Sequence, residues 1–131
     1  MLITDPIADF LTRIRNAQQR EKQELQVPAT KMIVAITEIL KKEGFIKDYQ
    51  LVDTEPQKTL SVELKYVNGV AAIRDLKRVS KPGVRRYVGY KDIPHVMRGL
   101  GVAILSTPKG IMTGKQARVE KTGGEFICTV Y

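Results

Sequence analysis

The fold of this chain is decided by residues 59–66, whose sequence is TLSVELKY. Apolar side chains alternate strictly with polar or charged ones in this stretch, so every second side chain points to the same face of an extended strand. One face is therefore predicted to be buried and the other to be wet, which is typical of an antiparallel sheet. Asn68-Gly69 follows directly and predicts a tight hairpin turn.

Two helices are predicted before this strand. Pro6 suits a first helical position with Thr4 or Asp5 as the cap, and apolar residues then recur at helical spacing as far as Ala17. A second helix is predicted over residues 30–43, and Gly44 should end it. Further strands are predicted at 45–52 and 71–78. The first lobe is thus predicted to be helix, helix and a three-stranded antiparallel sheet.

The loop around Pro82-Gly83 predicts a lobe boundary. We predict an α+β fold class with an N-terminal α/β lobe over residues 1–79 and a mainly β C-terminal lobe over residues 80–131. The second lobe should contain strands at 85–88, 102–106 and 125–131, and short helices at 92–98 and 113–120.

The charge of the chain is concentrated in its second half. The 22 basic and 14 acidic side chains give a net charge of +8. Residues 1–67 carry ten of each sign, whereas residues 68–131 carry twelve basic and four acidic side chains and hold the whole excess. A solvated surface usually mixes the two signs. The uneven distribution therefore favours a polyanionic partner, which is either a nucleic acid or an anionic membrane surface.

The composition argues against metal or cofactor chemistry. The chain has one histidine, His95, and one cysteine, Cys128, which cannot form an internal disulfide or an ordinary structural zinc site. We expect no catalytic residue, no metal and no cofactor. We also find neither a signal peptide nor an apolar run long enough to span a membrane, so we expect a soluble chain in the cytoplasm or an organelle stroma.

Two segments of the second lobe carry candidate nucleic-acid contacts. The first combines cations that neutralise phosphates with aromatic rings that can stack on unpaired bases; its members are Lys77, Arg78, Lys81, Arg85, Arg86, Tyr87 and Tyr90. The second is residues 106–110, in which Ser106 and Thr107 offer hydroxyls, Lys109 a charge and Gly110 a close backbone approach. Packing in a sheet explains each tyrosine equally well, and by composition alone residues 106–110 are a polar turn.

Motifs along the whole chain, in the right order, resemble the bacterial-type small-subunit ribosomal protein S-eight family. They are TDPIAD at 4–9, RIRNA at 13–17, VPATK at 27–31, EGFI at 43–46, RVSKPG at 78–83, ST at 106–107, KGIMT at 109–113 and GGE at 123–125. The resemblance implies two lobes, direct binding to the central domain of small-subunit ribosomal RNA, and support of subunit assembly beside neighbouring small-subunit ribosomal proteins. It also implies, in many bacteria, repression of the protein's own operon through its mRNA.

The resemblance also implies which residues contact RNA. The family's main RNA-contacting loop falls on Ser106, Thr107 and Lys109 of this chain, and Tyr87 and Glu125 match positions close to that RNA. Secondary contacts from the first lobe match Thr4, Lys31 and Arg15. The family usually has Ser where this chain has Pro108, which removes one hydroxyl and one backbone N–H from the loop.

Two other classes of protein fit the sequence less well than an RNA-binding protein does. An enzyme acting on a phosphorylated small molecule needs titratable groups in a concave site, but the basic part of the chain has only four carboxylate side chains, Asp75, Asp92, Glu120 and Glu125. A peripheral membrane protein needs an amphipathic helix with a basic face, whereas the most basic segment is predicted to be strand and loop. We therefore predict a non-enzymatic ribosomal protein with no membrane and no small-molecule substrate, on ribosomes of the cytoplasm or of a plastid stroma.

Overall fold

The computed structural model describes residues 5–53 and 58–131. Among these residues the α-helices are α1 (Pro6–Gln19), α2 (Lys31–Lys42) and α3 (Gly114–Glu120). The strands are β1 (Glu24–Pro28), β2 (Ile46–Asp53), β3 (Lys58–Leu64), β4 (Tyr66–Val67), β5 (Val70–Ala71), β6 (Leu76–Arg78), β7 (Tyr87–Val88), β8 (Val102–Thr107), β9 (Gly110–Thr113) and β10 (Gly124–Val130). The mixture of helices with antiparallel sheets confirms the predicted α+β fold class.

The chain forms two compact units. One consists of Asp9–Arg74, and the other consists of Asp75–Tyr131 with the described residues up to Ala8. We call them the N-terminal unit and the C-terminal unit. The lobe boundary predicted after residue 79 stays a prediction.

The N-terminal unit is built around β3, the strand that the alternating pattern predicted. Its apolar residues Leu60, Val62 and Leu64 are buried, and β1 and β2 pair with it on either side in antiparallel register. Helix α2 packs against β2 and is capped by Thr30, whose Oγ1 accepts a hydrogen bond from the Ile33 N–H at 3.1 Å. The sequence pattern therefore located both the centre of this sheet and the start of its helix.

The third strand of this sheet differs from the predicted one. It is β1, which the sequence pattern did not indicate because it offers only Leu25 and Val27 as alternating apolar residues before Pro28. The strand predicted at 71–78 is wrong as a single element. Its first part, β5, closes the Asn68-Gly69 hairpin with β4, and its last part, β6, pairs with β10 in the C-terminal unit. Asn68 and Gly69 both have positive φ (53° and 78°), as the predicted tight turn requires.

The C-terminal unit is a sheet with the strand order β6-β10-β8-β9, in which β7 also pairs with β10. One face is covered by α3, whose Ala117 packs with Ala103, Leu105 and Phe126. Thr113 caps α3 by accepting a hydrogen bond from the Gln116 N–H at 3.1 Å, in agreement with the helix predicted at 113–120. Strand β10 holds one extra residue, Ile127, where its register against β8 shifts between Phe126 and Cys128.

The helix predicted at 92–98 is wrong. The structure has two separate 3-10 turns, Tyr90–Asp92 and Val96–Gly99. Pro94 lies between them, and it can neither donate a helical hydrogen bond nor let Ile93 before it take a helical conformation. Ile93 has a ψ of 119°, which is extended backbone. Strand β9, which is not among the predicted elements, pairs with β8 from Thr107 to Ile104.

Candidate nucleic-acid interface

Strands β6 and β7 both pair with the same edge of β10, and the chain between them forms a loop outside the sheet. The N–H of Ser80 donates to the Phe126 carbonyl at 3.0 Å, and the N–H of Phe126 donates to the Arg86 carbonyl at 2.9 Å. The chain therefore leaves β10 at Ser80 and returns to it at Arg86. Residues 81–85 form the loop between these two positions, and we call it the basic loop. Within it, Lys81 and Val84 exchange two backbone hydrogen bonds of 3.0 Å across the Pro82-Gly83 turn.

Ser80 lies at the base of the basic loop, where its side chain connects the two ends of the loop. Its side chain is completely buried, and its Oγ donates to Glu125 Oε2 at 2.6 Å and accepts from the Arg86 N–H at 3.0 Å. One hydroxyl thus joins the two ends of the loop to β10. Ser80 is not among the site residues predicted from the sequence, where its only signal is its place directly before the Lys81-Pro82-Gly83 turn.

Three of the predicted site residues form one row across neighbouring strands. Glu125 of β10 is directly opposite Tyr87 of β7 on one side and Ser106 of β8 on the other. Directly opposite residues of antiparallel strands point to the same face, so the three side chains lie side by side. Tyr87 is 70% exposed, and within the described part of the chain the Ser106 hydroxyl makes no hydrogen bond. We call these residues the polar row.

Glu125 is held as a carboxylate in the middle of this row. Burial raises the pKa of the Glu125 carboxyl group, but hydrogen bonds from Ser80 and Arg85 and the charges of Arg85 and Arg78 outweigh this, so the pKa lies below its ordinary value of 4.5. Arg85 Nη1 lies 2.9 Å from Glu125 Oε2. An ionised carboxylate repels phosphate. Glu125 is therefore not itself a phosphate contact, and its role is to hold Arg85 and Ser80 in place.

This depressed pKa predicts how stability depends on pH. Because ionised Glu125 is favoured in the folded state, its stabilisation is fully present above the unfolded-state pKa and is lost as the pH falls through the folded-state pKa. We expect the free energy of unfolding of the wild type to fall more steeply than that of Glu125→Gln between about pH 6 and about pH 3. Urea denaturation across this range checks the prediction, and parallel curves for the two proteins would contradict it.

The hairpin between β8 and β9 carries the second predicted segment. The Thr107 hydroxyl accepts from the Lys109 N–H at 3.1 Å and donates to the Gly110 carbonyl at 2.8 Å, so it is used in holding the turn. Pro108 suits the first turn position, and Gly110 supplies a positive φ of 120° at the end. Lys109 Nζ lies 3.4 Å from Glu120 Oε2, a long and exposed ion pair that contributes little stability. Ser106 and Lys109 are consequently the groups of this hairpin that are open to a ligand.

The polar row can form only because two glycines stand at the start of β10, Gly123 directly before the strand and Gly124 as its first residue. A Cβ on Gly124 would lie 2.1 Å from the Ser106 carbonyl oxygen, and one on Gly123 would lie 2.3 Å from the Val88 carbonyl oxygen. Both contacts are with backbone, which cannot turn aside as a side chain can. The Gly123-Gly124 pair therefore lets β7 and β8 approach β10 from its two sides at the level of the row.

The other predicted site residues are divided among different places. Arg78 is only 9% exposed and pairs with Asp5 at 3.1 Å, so its guanidinium is used inside the C-terminal unit. Lys77 is directly opposite Thr129, and that register places it on the α3 face of the sheet rather than on the face of the row. Lys81 and Arg86 are exposed and have no ion pair among the described residues.

Two of the three site residues predicted in the first half of the chain, Lys31 and Arg15, belong to the N-terminal unit. Lys31 begins α2 in the N-terminal unit, beside a hollow of about 380 Å³ that Thr30 and Leu51 also line. Arg15 is exposed on α1. Thr4 lies outside the described residues. Each of these three RNA contacts stays a prediction.

Within residues 5–53 and 58–131, no group of three or more His, Cys, Asp or Glu side chains could hold a metal ion. Among those residues, no helix is both long and apolar enough to cross a membrane.

The fold and the site together define a small basic α+β protein that displays a cationic loop beside a row of polar side chains. The chain belongs to the ribosomal protein S8 family, whose sequence pattern matches residues 5–131. It is 53% identical to the small ribosomal subunit protein uS8 of Halothermothrix orenii and to that of Acidobacterium capsulatum, each over 132 residues that cover 100% of both chains. It is 52% identical to the uS8 of Bacteroides fragilis over 98% of this chain and 100% of that one. Membership confirms the predicted family, and, because the family is structural, it also confirms the prediction of a non-enzyme.

Proposed function

We propose that the chain is a structural constituent of the small ribosomal subunit that binds the central domain of small-subunit ribosomal RNA directly. Its partners would be this RNA and neighbouring small-subunit proteins, and it would support subunit assembly. The relatives named above carry the name of a small ribosomal subunit protein, which supports the ribosomal role. The observation that carries RNA binding is the polar row Tyr87, Glu125 and Ser106 beside the basic loop.

Affinity and site preference would come from different parts of this surface. Lys81 and Arg86 are exposed cations that can neutralise phosphates, which drives binding without regard to sequence. The Ser106 hydroxyl can donate to and accept from base edges or 2′-hydroxyls, and the exposed Tyr87 ring can stack on an unpaired base. Glu125 contributes by holding Arg85 at the edge of the row.

The salt dependence of RNA binding tests this division. Log affinity should fall with log salt by roughly 0.7 to 0.9 per phosphate neutralised, so the double variant Lys81→Ala/Arg86→Ala should flatten the slope by about 1.5. Ser106→Ala should leave the slope nearly unchanged and reduce the preference for the target over an unrelated RNA by about tenfold. Filter binding of full-length protein to a central-domain RNA measures both quantities.

Lys115→Ala is the matched control because Lys115 is an exposed cation on α3, which covers the opposite face of the sheet. It should change the slope little. Equal behaviour of the Ser106 and the Lys81/Arg86 variants would contradict the division of roles. Failure of the wild-type chain to prefer the central-domain RNA would contradict the proposed function itself.

We propose further that the same surface represses the protein's own operon by binding its mRNA. The polar row and the basic loop recognise a folded RNA irrespective of the transcript that contains it. A reporter fused to the operon leader should lose expression when the wild-type chain is overproduced, and Ser106→Ala should restore it. Unchanged reporter expression with the wild-type chain would contradict repression while leaving ribosomal RNA binding intact.

A further inference from the structure

The turn at residues 96–101 presents large apolar side chains to solvent, and we call it the apex loop. Leu100 is 84% exposed and Met97 is 51% exposed. A single exposed apolar residue is ordinary on a protein surface. Two within one short turn form a small apolar knob, and apolar surface of this kind is typical of a contact site.

Two residues of the apex loop other than glycine adopt a strained backbone conformation. Met97, Arg98 and Gly99 follow one another with positive φ values of 48°, 55° and 91°. Residues with a Cβ rarely adopt this left-handed conformation, and glycine is the residue that tolerates it. Strain of this sort persists where the surrounding structure enforces it, and it is concentrated at functional sites.

The base of the apex loop is firmly held by the C-terminal unit. The N–H of Gly101 donates to the Val96 carbonyl at 2.9 Å, and the N–H of Leu100 donates to the Met97 carbonyl at 3.1 Å. A Cβ on Gly101 would lie 2.8 Å from both the Tyr131 Cβ and the Val130 carbonyl oxygen, so the loop is seated tightly on the end of the sheet. The knob is therefore ordered before any partner arrives, which lowers the entropic cost of binding.

The chemistry of the knob favours a protein over a nucleic acid. Leu100 and Met97 offer neither an aromatic face for a base nor a hydrogen-bonding group for a phosphate or a sugar. The exposed side chain of Arg98, which lies between Met97 and Leu100 in the turn, has no ion pair among the described residues. A pocket that is apolar at its base and lined with carboxylates at its rim would match both features.

We propose that the apex loop docks a neighbouring protein by inserting Leu100 and Met97 into an apolar pocket with an acidic rim. The proposal rests on the proposed function, since the neighbour is taken to be another protein of the small subunit. It adds a second contact surface, distinct in chemistry from the basic loop and the polar row.

Occupancy of the chain in assembled subunits tests the proposal. Tagged wild type, Leu100→Asp and Val119→Asp are each produced in cells of the source organism, and their amounts in purified small subunits are compared. Val119 is the matched control, because it is also apolar and 70% exposed but lies on the regular helix α3. Leu100→Asp should lower occupancy by about tenfold or more. Val119→Asp should not, and all three proteins should bind the isolated central-domain RNA equally.

A photo-crosslinking amino acid placed at position 100 identifies what the knob contacts. In purified small subunits the expected crosslink is to a protein, at a peptide rich in apolar and acidic residues. A crosslink to RNA overturns the proposal. Sedimentation of the wild type with phosphatidylglycerol vesicles, abolished by Leu100→Asp, would overturn it in favour of a membrane contact.

These outcomes separate the proposal from the proposed function. If Leu100→Asp enters subunits as well as the wild type does, the apex loop is not a docking site, although the chain is still a ribosomal protein. If the wild type itself is absent from subunits and does not bind the RNA, the proposed function fails first.

Discussion

Replacing Arg78 by Met should lower the free energy of unfolding by about 3 kcal/mol while leaving the salt slope of RNA binding unchanged. The guanidinium is almost fully buried, with Nε 3.1 Å from Asp5 Oδ2 and Nη1 2.7 Å from the Ile127 carbonyl oxygen. Methionine fills similar space but leaves the Asp5 carboxylate, itself only 17% exposed, without its partner. An unpaired buried charge is costlier than the pair is favourable.

Urea denaturation and filter binding with the same protein preparations check this prediction. The control is the double variant Arg78→Met/Asp5→Asn, which removes both charges and should recover much of the lost stability. Arg78 is one of the RNA contacts predicted from the sequence. A variant that folds as stably as the wild type, but whose salt slope is flatter by about one phosphate, would return Arg78 to that role.

Replacing Gly124 by Ala should be similarly damaging, with a loss of about 3 kcal/mol in the free energy of unfolding and of most RNA affinity. The added Cβ would lie 2.1 Å from the Ser106 carbonyl oxygen and 3.0 Å from the Thr107 Cα. This clash can be relieved only if β8 and β10 move apart at the point where Glu125 is opposite Ser106. The polar row would then lose its register. Thermal unfolding and filter binding measure the two effects.

Gly83→Ala is the matched control for this substitution. Gly83 lies in the basic loop, where a Cβ meets no atom within 4 Å. Alanine there should change the free energy of unfolding by less than about 1 kcal/mol. If Gly124→Ala were as stable as Gly83→Ala, the close approach of β8 to β10 would not be a requirement of the fold.

The sequence predicted those elements whose causes are local. Strand β3 follows from the alternation around Val62, helix α2 from its Thr30 cap and apolar stripe, and the β4–β5 hairpin from Asn68-Gly69. Each of these signals lies within a few residues of the structure it produces. Strand β1 was missed because its place in the sheet is set by pairing with β3, more than thirty residues further along the chain.

The sequence predicted most members of the candidate site but not their arrangement, for the same reason. Tyr87, Glu125 and Ser106 were named, but that they form a single row depends on strand pairings that no local pattern encodes. Arg78 and Arg85 are equally basic in sequence, yet one is buried against Asp5 and the other reaches the surface beside Glu125. Charge counting cannot separate them, because burial is decided by distant partners.

The extra residue in β10, Ile127, provides the carbonyl group that binds Arg78, a residue almost fifty positions earlier in the chain. The carbonyl of Ile127, at the irregularity, accepts hydrogen bonds from the Val79 N–H and from the Arg78 guanidinium. A homologue that lacked one residue here would keep a regular ladder but lose the acceptor that seats arginine. In an alignment of the family, a gap at position 127 should therefore coincide with the loss of arginine at position 78, so that the two changes are inherited together.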